Sequence, residues 1–564
     1  MIHNPFASAA LPRPLRFALL AVLVAASGCD RFRPVGEAAR PLPDSERLSL
    51  GSHTHPISTS NPEAQKAFDR GLVLAYGFDH REAEKEFLRA AGLDPSCAMA
   101  WWGVALVNGP HINYPMVPSN RAERAWLALS RARTLVPRAS PEERQLIEAL
   151  GARYAQDQPE DRSPLDQAYA DAMRKVHLAY PNDPDAATLF AEALMDLRPW
   201  DLWTNDGKPQ PGTGEIVETL EKVLAADPDN PGANHFYIHA MDASSWPQKA
   251  LPSADRLRTL VPGASHLLHM PAHIYARVGR WSDAATANIR AMAVDTLYRS
   301  AHPDPGFYAL YMAHNAHFYG YVAMMQGRKA EALKAARAMV DGIPPDFLEA
   351  FGPVADGYMA FPLEVLLRFG AWEAVLAEPE PPESLPLCRA LWRYARTESL
   401  SALGRGEDAT RERVRFSEAA AKVPEGWMYG NNPASNVLAV AGAVLDGVIA
   451  SNSGDIGGAI PCLRDAVRLE DALRYDEPPA WIQPVRHTLG AVFMRAGRYG
   501  DAEKTYREDL ARHPENGWSL FGLTRALKRQ DKTEEAAAAE ARFHKAWIQS
   551  DFPITATCCC QPGV

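Results

Sequence analysis

Apolar residues recur along this chain at spacings of three and four from about Asn61 to about Gln549, and Pro or Asp-Pro marks the turns between runs. That period places apolar side chains on one stripe of a helix, whereas a half-buried strand would alternate every second residue. No credible run of alternating strands interrupts it, so the pattern predicts an all-α chain. The predicted helices come in pairs. Residues 63–95 place Gly71 among small residues in a first helix, then a turn, then Ala83 and Phe87 in a second, then Asp94-Pro95. Residues 484–514 repeat the theme. So do 227–262 and 262–295, where Pro228 and Pro262, like Ala250 and Ala284, stand 34 apart. Small residues let the two helices of a pair pack closely, and large ones fill the next groove along.

This arrangement closely resembles the tetratricopeptide (TPR) repeat, whose period is 34 residues. The resemblance implies a right-handed superhelical solenoid of helix-turn-helix repeats, with the first helix of each pair lining a concave groove. The chain also resembles a bacterial group of TPR proteins through Y-G-F-D-H-R-E-A (76–83), P-W-D-L-W (199–203), H-M-P-A-H-I-Y-A-R-V-G-R (269–280) and N-G-W-S-L-F-G-L (516–523). No activity comes with that resemblance. The repeat pattern is clear over 61–330 and 481–549 and degenerate over 331–480, and 550–564 reads as a tail.

The N-terminus carries a different signal. Arg13 and Arg16 precede the apolar run Phe17–Val24, and Ala26-Ser27-Gly28-Cys29 follows. The run is too short to span a bilayer, so residues 1–28 read as a secretory signal. The ending resembles a bacterial lipobox, which implies lipidation of Cys29. Residues 29–60 are rich in Pro, Arg and Ser without periodicity and read as a flexible tether. The expected location is the cell envelope on the periplasmic side, lipid-anchored to membrane, with no spanning segment after Cys29. The seven Cys show no spacing typical of a disulfide framework. Cys97 sits in a helical pattern as a buried apolar residue, and Cys558-Cys559-Cys560 reads as a soft-metal handle or a frayed tail.

At 564 residues the chain is too long for one small core, so it holds several domains or an extended array. Hydrophobic content of 47% and charged content of 23% suit a folded protein, and the net charge of −10 is mild. With no long basic run and no Gly-rich phosphate loop, the expectation is no nucleic acid and no nucleotide. Neither G-x-S-x-G nor H-E-x-x-H occurs, so no hydrolase nucleophile or zincin motif is present.

Candidate chemistry concentrates in one window. Of 17 His in the chain, eight lie between His235 and His317. They fall as His235 and His239; His266, His269 and His273; His302; and His314 and His317. Within the groups the spacing is three or four, which stacks the rings on one helix face. Three registers, with offsets of 34, 31 and the His-x-Tyr theme, all set these groups on successive first helices. Helices pack at roughly 8–10 Å between axes, so rings on neighbouring stripes can converge on one ion, and imidazole suits Cu, Zn or Fe. The predicted metal set is His235, His239, His266, His269, His273, His314 and His317. Pro271 either kinks a helix or begins one. Glu192, Asp196, Asp201 and Asp242 are candidate carboxylates. Tyr237, Tyr275, Tyr308, Tyr311 and Tyr319 are second-shell donors or packing groups, and His80, Asn108, His111 and Asn113 could border the site. The expected function is an envelope-anchored scaffold that binds a protein or peptide partner, with a His-rich metal site in its groove. The alternative is a metal-dependent enzyme or metal carrier.

Overall fold

The computed structural model describes residues 49–561. The signal segment and Cys29 lie outside them. The chain divides into two units, the first holding 49–274 and 290–308 and the second 275–289 and 309–561 of the described residues. The divisions expected at 330 and 480 are not where the contacts part.

The first unit is all-α and built from helix-turn-helix pairs. Pro62–Tyr76 packs on His80–Leu93, Ala98–Val107 on Ser119–Leu135, Ser163–Ala179 on Pro184–Met195, and Thr213–Ala226 on Pro231–Asp242. Each helix packs chiefly on its neighbours in sequence, as a repeat array requires. The starts are encoded locally. Asn61, Asp183 and Asn230 each precede a Pro, and their side chains accept from the first free backbone N–H groups. The small positions do the packing inferred for them. Added Cβ atoms at Gly71 and Gly103 would lie 2.8 and 2.4 Å from the Phe87 ring, so the two glycines clasp that ring from both sides.

Residues 49–60 differ from the flexible tether expected there. Leu50 and Ile57 are buried. His53 Nε2 and His55 Nδ1 each lie 3.1 Å from the Asp185 carboxylate, which also accepts from Tyr76 Oη at 2.7 Å and Asn230 Nδ2 at 3.1 Å. The segment is also tied to Asp69, Gln65, Glu143 and Asp94 by hydrogen bonds, polar contacts that an apolar period does not report.

The second unit continues the theme through Ala309–Met325 with Lys329–Gly342, Pro386–Ala402 with Gly406–Ala420, Ala434–Asn452 with Ile456–Asp471, Val485–Arg495 with Tyr499–Arg512, and Gly517–Lys528 with Thr533–Ala546. The degenerate stretch 331–480 is therefore paired helices as well. Here Gly490 and Gly522 clasp the Tyr506 ring, at 2.4 Å to an added Cβ in each case. A two-residue hairpin, Met428–Tyr429 against Asn432–Pro433, is the one named sheet among the described residues. Ala434–Asn452 is long and apolar enough to cross a membrane by length and composition, which corrects the expectation of no such segment after Cys29; 61% of it is buried in the protein. The described tail is not frayed. Cys558 and Cys560 are buried and disulfide-bonded to each other, and Thr557 Oγ1 donates to His487 O at 2.8 Å.

Candidate metal centre

Two helices of the first unit supply the core of the histidine cluster. Pro231–Asp242 carries His235 and His239 one turn apart, and all twelve of its residues are buried. Ser265–His269 carries His266 and His269, and Pro271–Arg277 carries His273. Pro271 thus begins a helix, and its missing N–H falls where a helix needs none.

One nitrogen from each of His235, His239 and His266 lies within 4.8 Å of the other two. Nitrogens bound to one tetrahedral ion at about 2.0–2.1 Å stand roughly 3.4 Å apart, against the 4.8 Å within which these three lie. The rings are 0%, 6% and 2% exposed. The groove-lining position implied by the TPR resemblance is therefore corrected: this unit buries these rings in its interior.

The tautomer of His235 follows from its partner. Nδ1 lies 2.6 Å from the backbone carbonyl of Tyr76, which only accepts, so Nδ1 carries the hydrogen. Nε2 keeps its lone pair, and it is buried with no hydrogen-bond partner. Burial pushes the imidazole down to about 3, so the ring is neutral near pH 7. A backbone carbonyl holding one ring nitrogen and a free lone pair on the other is the arrangement of a metal-ligating histidine.

His80 and His111, which the sequence places at the border of the site, have the opposite arrangement. His80 Nδ1 faces an Arg121 guanidinium nitrogen at 3.3 Å, and His111 Nδ1 accepts from the Asn113 N–H at 3.3 Å. Each ring has spent one lone pair on a donor. Burial holds both well below the usual histidine range.

Two aromatic residues that the sequence reading missed press on the cluster. Phe78 stacks on His111 at 4.3 Å between centroids and meets His235 at 4.7 Å and His266 at 5.5 Å. The edge of Trp200, from the P-W-D-L-W stretch, meets His239 at 5.1 Å. Both have left-handed backbones, with φ of 57° and 59°, and bulky residues hold that conformation only where the surroundings impose it. Their positions in Y-G-F-D-H and P-W-D-L-W were the one signal available.

Beside this group, His269 Nε2 and His273 Nε2 face each other at 2.9 Å, and His273 Nδ1 lies 3.3 Å from Asp242 Oδ2. Burial pushes His273 down to about 3. Asp242 is thus the carboxylate nearest this chemistry. Asp196 is paired with the buried Arg153, beside Glu192, and burial raises both carboxyls. Asp201 pairs with Arg198. Tyr237 donates to Glu221 at 2.7 Å and Tyr319 to Glu331 at 2.8 Å, so both serve their own helix contacts. His314 and His317 belong to the second unit, on Ala309–Met325.

No family model and no curated protein matches the chain. Among solved structures, it is similar to the human IFIT1 dimer with PPP-AAAA, at 14% identity, 84% of this chain, 88% of that chain and a TM-score of 0.31. It is also similar to an IFIT1 monomeric mutant with Gppp-AAAA, at 12% identity, 79% of this chain, 90% of that chain and a TM-score of 0.33. Those two chains are solved with PPP-AAAA and Gppp-AAAA, and the expectation of no nucleic acid is withdrawn for this chain without any partner being carried over to it. Net charge sums over a whole surface and does not describe one patch.

Proposed function

We propose that this chain is a helical-repeat scaffold built around a protein-bound transition-metal ion, held in the first unit by His235, His239 and His266. The observation that carries the reading is the convergence of three buried rings, each with a nitrogen within 4.8 Å of the other two, beside the buried, unpartnered Nε2 of His235. Three imidazoles without a thiolate suit Zn, Cu or Fe over Mg or Ca. The lipobox-like ending at Cys29 supports export and anchoring in the cell envelope, where the ion would be acquired.

Elemental analysis of the purified full chain tests this, beside a His235→Ala, His239→Ala double variant. The expected result is one transition-metal ion per chain in the wild type and none in the variant. A metal-free wild type that also takes up no Zn, Cu or Fe on dialysis overturns the reading.

A second reading, a two-ion centre of an enzyme or carrier, is favoured by the facing Nε2 atoms of His269 and His273 beside Asp242. It requires two ions per chain, with one lost on His269→Ala, His273→Ala substitution.

A further inference from the structure

The metal reading of the first unit leaves the cysteines of the second unit unused. Cys558 and Cys560 are bonded to each other, and a buried carboxyl, Glu398 on the helix Pro386–Ala402, stands against them. One Glu398 oxygen and the two sulfurs all lie within 4.8 Å of one another. Tyr394 Oη donates to Glu398 Oε2 at 2.6 Å. Burial raises this carboxyl to about 7 against the pull of that hydrogen bond, and among the described residues no cation adds to the pull. A carboxylate buried without a counter-charge is costly. A metal ion shared with two thiolates would supply that charge.

The chain is fastened on both sides of the cysteine pair by bonds that do not involve it. Before it, Thr557 Oγ1 holds His487 O and meets Tyr506 Oη at 2.9 Å. After it, Gln561 Oε1 accepts from Ser451 Oγ at 2.7 Å and from Arg495 at 3.1 Å. Cys559 Sγ donates to Arg368 O at 3.4 Å, so the middle thiol serves a different partner. The Cys560 N–H donates to Cys558 Sγ at 3.2 Å, and such a bond favours the charged form of the sulfur.

We propose that the reduced chain binds one divalent ion of the zinc class through Cys558 Sγ, Cys560 Sγ and Glu398, so that the disulfide and the ion are alternative closures of the same pair. A dithiol reductant opens the pair: it gives two electrons and two protons, and becomes a disulfide itself. The two new thiols then release both protons to solvent as the ion binds. Freed sulfurs approach only to non-bonded contact, roughly 3.5–4.0 Å, and on one zinc ion they stand about 3.8 Å apart. Two thiolates with a carboxylate suit Zn, or its heavier analogue Cd, over Mg or Ca. Three protein ligands leave the fourth position open. In the oxidised chain the pair stays closed, and added metal acts on the imidazoles of the first unit alone.

Titration of the full chain with Cd tests this, on the oxidised protein and on protein fully reduced with dithiothreitol and freed of it without air. The ultraviolet sulfur-to-Cd charge-transfer band reports thiolate ligands, and a histidine site is silent in it, so the result is independent of the first unit's ion. The reduced chain should show the band, saturating at one Cd, and the oxidised chain should not. Cys559→Ser should keep the band, and a Cys558→Ser, Cys560→Ser variant should lose it. Glu398→Gln keeps the Tyr394 contact and both cysteines, so it decides the matter even where the double variant fails to fold. It should weaken Cd binding at least about tenfold, the loss that follows even from removing a group that only supports a ligand. No band in the reduced chain, a band undiminished in the double variant, or an unchanged Cd affinity in Glu398→Gln overturns the proposal.

Discussion

At the scale of single residues, the centre is defined by which nitrogen of each ring is already engaged. His235 gives its Nδ1 hydrogen to the Tyr76 carbonyl and keeps a buried lone pair on Nε2, while His80 and His111 have spent one on a donor. Counting histidines could not separate these roles, because the partners are a backbone carbonyl, an arginine and a loop N–H. Phe78 supports the same rings from a left-handed backbone. Phe78→Gly relieves strain of about 1–3 kcal/mol but removes a buried ring usually worth about 3–5 kcal/mol. The expected net is a loss of roughly 2 kcal/mol in urea unfolding, together with weaker metal binding as the His235 and His266 rings lose a wall. A variant that gains stability would show that the strain outweighs the packing.

At the scale of elements, the helices and their pairing were legible and the terminal segments were not. Apolar periodicity, Asn-Pro and Asp-Pro starts, and the small-large-small theme all act within a few dozen residues, so Gly71, Phe87 and Gly103 reveal the packing of three helices. Phe87 is fully buried there, and Phe87→Ala should cost about 3–5 kcal/mol in chemical denaturation. Residues 49–60 gave no periodic signal because His53 and His55 bind a distant carboxylate, Asp185. That contact makes the segment pH-sensitive. Burial opposes the charge on His55, but the hydrogen bond and charge of Asp185, with Asp183 and Glu142 nearby, outweigh it and raise the imidazole to about 9. His53 is raised in the same way, with Asp227 adding to Asp185. Asp185 is held well below its ordinary value of 3.8, against burial, by the two imidazoles. The histidine contribution is complete below pH 6.5 and is lost as pH rises through about 9. The aspartate contribution is present above 3.8 and is lost as pH falls below it. Hydrogen exchange over residues 49–60 should therefore be slow at pH 7, after correction for the intrinsic rate, and much faster at pH 10. Asp185→Asn should expose the segment already at pH 7. Unchanged protection in that variant would show that Leu50, Ile57 and the hydrogen bonds to Asp69, Gln65 and Glu143 hold the segment without Asp185.

At the scale of the whole molecule, the fold class was readable but the division into two units was not. The boundary between 274 and 309 interleaves the chain, since 275–289 belongs with the second unit and 290–308 with the first. No composition shift marks it, because the helix Trp281–Ala301 runs through it as one continuous element. Each unit buries its own apolar residues; the core of the second runs from Ala360 to Cys560. A chain with two such cores need not unfold in one step. We expect differential scanning calorimetry to show two transitions, of which one answers to metal. An ion bound only by the folded first unit stabilises it by RT ln(1 + [L]/Kd), about 2.7 kcal/mol at a hundredfold excess over Kd. For a unit of this size that moves the midpoint by roughly 5–10 °C. Addition of Zn, Cu or Fe should raise one transition and a chelator should lower it, leaving the other in place. His235→Ala should abolish the shift without moving the second transition. If metal moves both transitions together, or moves one equally in the His235→Ala variant, the ion is not held where the three imidazoles of the first unit meet.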